Sequence, residues 1–430
     1  MNPSVALSML QLMLDRDYSG ARQRVLQSAE SLLETLAPAM DALRVHLHRI
    51  QASKSSAVES STKEVALNAL LLYCKINVHT ALAACGEDEE FVLPTPITGV
   101  IQWFERNFAP LLQDTQESTE DETETDSPAS SVSTEVIGEP ASPPRRRQRK
   151  RASSKHTPTH NGTRSASTSA GEIMSFVWQV TAAVTGVASE CASLGASDEG
   201  LLGLARHCAI SVRSTDESSA EKKACCQYLC KLLCAFSTRC DEESASRIEA
   251  VLRMVLKHKI PTNLRSNVQF ALTKCMTGNA NGFFLTSFAK SLAQELLQCS
   301  NESEQETTNV QRDKLQLLQD SIMVVLKRQS ESRKYIVRVV QEQANVSSCL
   351  SEGATTAQRL ECVQAAMSAV LLVNCVFASV PSNSFRNHIM PTLVRLLQQL
   401  GAMQPPKDTD DELNNWTQRL EDALKLIVDT

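Results

Sequence analysis

The chain has 430 residues, a formal net charge of −6 and only 4% aromatic residues. This length allows a sizeable buried core and two or three domains. Leu, Ala, Gln, Glu and Ser dominate, and no alternating run of β-branched or aromatic residues occurs, so the composition predicts an all-α protein and excludes a β-rich fold.

The first residues are apolar but lack the cationic start and the small-residue cleavage site of a secretory signal, and Asp15 and Arg16 interrupt them. We therefore expect no signal peptide. No uncharged apolar stretch reaches the roughly 18–20 residues that a membrane span requires. The longest, 365–380, contains Asn374 and is interpreted as a core helix. We expect no membrane partner.

An N-terminal helical block is predicted for residues 1–113. Pro38 should kink or split its second helix, and the prolines at 94 and 96 should separate its last two. The predicted helices are 4–15, 19–52, 60–85 and 97–113.

A disordered linker is predicted for residues 114–170. Its first part, DTQESTEDETETD at 114–126, carries seven carboxylates, and Ser-, Pro- and Arg-rich stretches follow. Apolar residues are too sparse there to offset the entropy cost of ordering the chain.

The segment RRRQRKR follows two prolines inside this linker. Import receptors bind dense cations on accessible, extended backbone, so we interpret the segment as a nuclear localisation signal and expect a nuclear protein with an import receptor among its partners. An inert solvated loop and nonspecific contact with nucleic-acid phosphates remain alternatives. The cations of the signal are Arg145, Arg146, Arg147, Arg149, Lys150 and Arg151.

Candidate phosphorylation sites lie around the basic segment. Ser142 precedes two prolines and an arginine, Ser127 precedes a proline, and Ser153 follows a run of cations; Ser118 and Thr119 have acids three residues further on. Phosphate at Ser142 or Ser153 would weaken contacts of the basic segment by placing negative charge against it. Such short patterns also arise by chance in Ser-rich segments.

The C-terminal block, residues 171–430, shows one helical pattern after another with short breaks, as at Pro261 and at the prolines 405 and 406. Helix pairs recurring every 35–45 residues or so resemble HEAT and armadillo α-solenoids across about 171–400. This generic resemblance implies stacked helix pairs that offer an extended protein-binding surface, and an irregular helical bundle is the alternative. The predicted helices are 171–193, 198–213, 218–238, 242–258, 263–277, 282–299, 306–328, 331–347, 355–379, 384–401 and 410–428.

Fourteen cysteines lie mostly in apolar helical stretches, as at Cys74, Cys191, Cys208, Cys362 and Cys375. We expect free thiols that pack as small apolar side chains in a reducing compartment. The densest group consists of Cys225, Cys226, Cys230 and Cys234. Its four-residue spacing favours a buried packing stripe over a metal site, because structural zinc sites usually use paired cysteines on turns.

Residues 251–340 carry 13 Lys and Arg against seven Asp and Glu. If equivalent helix ends line up, cations near them would form one basic ridge that contacts DNA, RNA or an acidic protein; the alternative is that they complement helix dipoles. The predicted contact residues are Lys257, Lys259, Arg265, Lys327, Arg328, Arg333 and Lys334.

No nucleophile–histidine pair, Gly-rich phosphate loop or metalloprotease motif is recognisable in the sequence. We therefore expect neither an enzyme nor a cofactor, metal or small-molecule substrate. The sequence favours a nuclear helical scaffold that joins other proteins, in a chromosome-associated or gene-regulatory assembly. Direct nucleic-acid binding through the 251–340 ridge and the basic linker is the alternative function.

Overall fold

The computed structural model describes most of the chain outside the acidic and basic linker. The described residues are 3–16, 20–36, 38, 45, 60–86, 91–108, 110, 164–196, 199–209, 220–238, 241–257, 260–278, 281–301, 308–346, 354–402 and 411–428. These residues are all-helical and contain no strand, so the predicted fold class is confirmed at this level.

From Arg164 onwards most helices follow one another after short connections, whereas longer stretches follow the helices that end at Gln27 and at Asn107. The helices are α1 (Pro3–Asp15), α2 (Ala21–Gln27), α3 (Ser60–Ala84), α4 (Thr95–Asn107), α5 (Arg164–Leu194), α6 (Glu199–Ala209), α7 (Ala220–Ser237), α8 (Glu242–Leu256), α9 (Thr262–Gly278), α10 (Phe283–Asn301), α11 (Asn309–Arg328), the 3-10 turn η1 (Ser330–Ser332), α12 (Arg333–Gln343), α13 (Thr356–Ser379), α14 (Asn383–Ala402) and α15 (Asp411–Val428).

Local capping explains where several helices begin. The Asp241 carboxylate accepts a hydrogen bond from the Ser244 backbone N–H at the start of α8. Capping boxes open α11, at Thr308 and Gln311, and α13, at Thr355 with Gln358. Each satisfies backbone N–H groups that have no partner inside the helix.

Two boundaries differ from the sequence prediction. α5 begins at Arg164 rather than near 171, because extending an existing helix costs far less than nucleating one and no proline intervenes. The predicted helix 19–52 is interrupted earlier than Pro38: α2 ends at Gln27, and Ser28 leaves the helical conformation. Residues 29–36 are helical again, as predicted, and most of the rest of that predicted helix lies outside the described residues.

The helices pack in two rows of contacts. In one row, α3 contacts α5, α5 contacts α7, α7 contacts α9 and α9 contacts α11. In the other, α4 contacts α6, and the contacts continue through α8, α10 and α12 to α14. Towards the C-terminus, α13 packs against α10, α12 and α15. Most helices therefore contact their near neighbours in the sequence.

One buried core runs from Ala66 in α3 to Ile427 in α15, so α3 and α4 share the core of the C-terminal helices. A second, smaller core joins α1, α2 and residues 29–36 to α3. Helix α3 buries two faces: Leu70 and Cys74 enter the large core, whereas Leu72 and Ile76 enter the small one. This two-sided burial makes α3 the link between the two cores.

In the part of the chain that the structure describes, two helices are long and apolar enough to span a membrane by length and composition alone. They are α3, over Lys63–Ala84, and α13, over Thr356–Ser379. About half of each apolar window is buried inside the protein, where both helices pack against several neighbours. A core helix meets the same criteria, and the packing of both helices fits that description.

Candidate protein- and anion-binding surfaces

The predicted basic residues fall into two groups at different ends of the helices. Lys257 follows α8, and Arg265 lies in the first turn of α9. Lys327 and Arg328 end α11, whereas Arg333 and Lys334 begin α12. Lys259 lies outside the described residues.

The two groups are far apart along the helices. Arg265 Nη1 lies 3.3 Å from Asp313 Oδ1, so the first turns of α9 and α11 are adjacent. Lys327 lies at the other end of α11, about 21 Å from Asp313 at a rise of 1.5 Å per residue. The structure therefore does not bring the predicted residues together into one continuous ridge.

Lys327, Arg328, Arg333 and Lys334 surround the α11–α12 turn, and we call these four residues the basic corner. Lys327, Arg328 and Lys334 are exposed, and none forms an ion pair with a described carboxylate. Arg333 is half-buried and donates a hydrogen bond from Nη1 to Ser382 Oγ at 2.9 Å. Three cations of the corner are thus available to a negatively charged partner.

Tyr335 and Gly282 set the position of the basic corner. The Lys334 ammonium lies 5.0 Å from the centroid of the Tyr335 ring. That ring packs directly on Gly282, where an added Cβ would lie only 2.3 Å from a ring carbon. The corner is therefore held against the start of α10, and Arg333 ties it to the α13–α14 turn.

A groove lies beside the basic corner, between the end of α13, the start of α14 and the end of α15. Its cavity is about 340 Å³. Phe377, Pro381, Leu426 and Ile427 supply apolar surface, and Arg386 contributes the only charged side chain among the described lining residues. We call this cavity the end groove. Ser382, which Arg333 contacts, also lines it.

Arg386 is oriented by both walls of the end groove. Its guanidinium lies 5.9 Å from the Phe377 ring centroid, and Nη2 donates to the Ile427 carbonyl oxygen at 3.5 Å. The Leu426 side chain is 70% exposed at the groove edge. An apolar surface and a fixed cation thus occur side by side.

Helix α1 carries an exposed apolar face that the sequence reasoning missed. Val5, Met9, Leu12 and Met13 are 39–50% exposed, and their spacing places them on one side of the helix. We call these four residues the α1 stripe. The opposite side packs on α3 through Leu14 and other apolar residues. A helical projection of residues 3–15 shows two apolar faces, which is the signal that could have revealed it.

Polar contacts fix α1 parallel to α3. Ser4 Oγ donates to Glu64 Oε1 at 2.7 Å, and at the other end Lys75 Nζ lies 2.5 Å from Asp15 Oδ2. Helix α1 has no charged residue before Asp15. The α1 stripe is therefore an uncharged surface on a firmly docked helix.

The cysteine group has the environment of a packing stripe. Cys225, Cys226 and Cys230 are buried and Cys234 is half-buried. Burial raises the pKa of the Cys234 thiol to about 11, which favours the protonated form over the thiolate that a metal requires. In the described part of the chain, no three His, Cys, Asp or Glu side chains are placed to hold a metal ion.

Cys362 is an exception to the predicted free thiols, because it is disulfide-bonded. The expectation of a reduced cysteine is therefore wrong at this position. The other cysteines named above, Cys74, Cys191, Cys208 and Cys375, are not in disulfides, and the Cys208 thiol lies 2.8 Å from the Thr185 hydroxyl.

The predicted import and modification sites lie outside the described residues. These are the cations of 145–151 and the phosphorylation candidates Ser118, Thr119, Ser127, Ser142 and Ser153. Their roles stay predictions from the sequence.

No family model, no curated protein and no solved structure matches the chain.

Proposed function

We propose that the chain is a noncatalytic α-solenoid scaffold that binds other proteins in the nucleus. The two rows of helix contacts support this architecture, because each helix mainly packs on its neighbours, as in stacked repeats. The small N-terminal core and α15 then cap the two ends of the stack. An array of this kind offers a long surface on which partners can be arranged.

The α1 stripe is the observation that carries the proposal of protein binding. Contiguous exposed apolar surface is uncommon on soluble proteins and marks interaction sites. The spacing of Val5, Met9 and Leu12 is that of a seam between two helices. Since α1 is uncharged up to Leu14, the stripe suits an apolar helix face of a partner and offers nothing to a nucleic-acid phosphate.

Site-specific photocrosslinking tests this proposal. A photoreactive amino acid at Met9, in the full chain expressed in cells, should crosslink to a helical segment of another protein. Leu12→Glu should abolish that crosslink, whereas Val92→Glu, at a residue that is 77% exposed and remote in sequence, should not. A crosslink only to a second copy of the chain, or one that survives Leu12→Glu, would contradict the proposal.

Nuclear import rests on the sequence of the basic segment. We expect a fluorescent fusion of the chain to accumulate in the nucleus and to lose this localisation when Arg145, Arg146 and Arg147 become alanine. Equal distribution of both fusions would show that the segment is not an import signal.

The basic corner favours direct nucleic-acid binding as a second candidate function, although it lacks the length of the predicted ridge. Nonspecific binding to a random duplex should weaken steeply with salt. Replacing Lys327, Arg328 and Lys334 with alanine should reduce both the affinity and its salt dependence. A protein-only scaffold would not bind the duplex appreciably at physiological salt.

A further inference from the structure

We infer that the end groove and the basic corner together form a docking site for an acidic amphipathic helix of a partner protein. This inference rests on the proposed scaffold function, and it concerns the end of the chain opposite the α1 stripe. The two halves of the site meet at Ser382, which lines the groove and accepts the hydrogen bond from Arg333.

The apolar half of the site suits a helix that inserts one or two large side chains. Phe377 and Ile427 line the groove, and Leu426 is exposed at its edge. A cavity of about 340 Å³ can hold such side chains, and burying Leu426 under a partner would remove apolar surface from water. Helices commonly dock in this manner, with apolar residues three and four positions apart.

The charged half of the site determines the sign of the charge that a partner must carry. Among the described residues, no carboxylate lines the groove. Arg386 does line it, and Arg333 of the basic corner donates a hydrogen bond to Ser382, which also lines it. The start of α14 adds the partial positive charge of a helix N-terminus, whereas the ends of α13 and α15 add partial negative charge, so the full charges of Arg386 and of the basic corner decide which sign is attracted. Carboxylates flanking the apolar residues of a bound helix would therefore be attracted.

A protein partner fits this site better than a nucleic acid does. The cations alone would attract either one. However, the aliphatic residues Leu426 and Ile427 line the groove, and aliphatic side chains offer neither hydrogen bonds to base edges nor attraction to phosphates. An acidic amphipathic helix matches both halves of the site.

A synthetic peptide about four helical turns long provides the probe. It carries leucines at helical spacing on one face and glutamates elsewhere, and two matched controls replace the glutamates with lysines or the leucines with serines. We expect the acidic leucine peptide to bind the full chain in fluorescence anisotropy at physiological salt. Both control peptides should bind at least about tenfold more weakly.

Substitutions in the chain show where the peptide binds. Leu426→Glu changes an exposed side chain, so the helical circular dichroism should stay unchanged. The affinity for the acidic leucine peptide should fall by about tenfold or more. Arg386→Gln should weaken it as well. Val92→Glu and Leu12→Glu should leave the peptide affinity unchanged, since they lie elsewhere.

Any of three results would overturn the inference. In the first, the acidic leucine peptide does not bind the chain; in the second, the lysine peptide binds as tightly as the acidic one; in the third, Leu426→Glu leaves the affinity for the acidic peptide unchanged. The corner would instead be assigned to nucleic acid if the chain bound a short duplex but not the peptide. In that case Lys327→Ala should weaken duplex binding and Leu426→Glu should leave it unchanged. Because the photocrosslink at Met9 does not depend on this site, failure here is distinguishable from failure of the scaffold proposal.

Discussion

Gly282 illustrates a single residue that determines how two helices meet. Its φ of 67° lies in the left-handed region, and an added Cβ would be 2.3 Å from a carbon of the Tyr335 ring. Only glycine meets both conditions without strain. The predicted helices 263–277 and 282–299 leave a break just before this glycine, but the sequence gave no sign of its contact with Tyr335, which lies far along the chain.

We expect Gly282→Ala to destabilise the protein by about 2 kcal/mol or more, through backbone strain and displacement of Tyr335. Gly99→Ala is the matched control, because Gly99 lies inside α4 with no atom within 4 Å of an added Cβ. That change should stabilise the helix by about 0.5–1 kcal/mol. Urea denaturation measures both, and equal effects of the two substitutions would refute the close contact.

His79 is a buried histidine with both ring nitrogens unpaired. Burial lowers its pKa, and the nearby Arg22 and Lys75 lower it further, while Asp15 opposes them. Glu190 of α5 shares these three charged neighbours, and burial raises its pKa. At the junction of α1, α2, α3 and α5, burial therefore shifts the pKa values of two ionisable groups, in each case in the direction that disfavours the charged form.

The lowered pKa of His79 predicts a pH dependence of stability. Above about pH 6.5 the histidine is neutral in both the folded and the unfolded chain, so it adds no pH dependence there. As the pH falls below that value, the unfolded chain binds a proton before the folded one, so the free energy of unfolding decreases. His79→Leu should reduce this loss between pH 6.5 and 5 in thermal denaturation. An unchanged pH profile would contradict the account.

At the scale of the element, local chemistry made the helices predictable. The capping box at Thr355 and Gln358 and the Asp241 cap lie within a few residues of the starts that they define. The predicted spans 242–258 and 355–379 therefore agree closely with α8 (Glu242–Leu256) and α13 (Thr356–Ser379). The exposed side of α1 was not predictable in this way, because burial depends on α3, which lies far along the chain.

The helix that carries the cysteine group predicts a pattern of thiol reactivity. Cys225 and Cys230 are buried, with pKa values raised by burial and by neighbouring cysteines. We expect maleimide to label them only after denaturation, and half-buried Cys85 and Cys299 to react faster in the native protein. Mass spectrometry of labelled peptides measures this order.

Rapid native labelling of Cys230, or stoichiometric zinc that protects the group, would contradict the packing interpretation. Labelling with and without reductant also tests Cys362. Its disulfide should keep it unlabelled until the reductant is added.

At the scale of the whole molecule, the order of the helices was predictable but their association was not. The sequence suggested helical blocks at 1–113 and 171–430 on either side of a linker. The buried core nevertheless runs from α3 to α15, and α4 packs against α5 and α6. Likewise, the cations that were predicted to form one ridge lie at opposite ends of the helices, since Arg265 is adjacent to the first turns of α11 and Lys327 lies at the other end of that 20-residue helix.

The continuous core predicts that the two blocks stay associated after the chain is cut. A protease site inserted near residue 130 should yield two fragments that elute together in size-exclusion chromatography. Ile97→Asp, which places a charge in the core that α4 shares with the C-terminal helices, should weaken this association. Separate elution of the unmutated fragments would show that the core does not hold the blocks together.

The stacked arrangement makes a further prediction about how stability is distributed. In an array whose helices contact mainly their neighbours, terminal helices open more easily than central ones. A globular bundle of the same composition would instead open its core helices together.

Native-state hydrogen exchange followed by mass spectrometry, at urea concentrations below the unfolding transition, tests this claim most directly. We predict the greatest protection in α7, α9 and α10, with a stepwise decrease towards α1 at one end and α15 at the other. Equal opening free energies across all of these helices would contradict the stacked array, and with it the proposed scaffold.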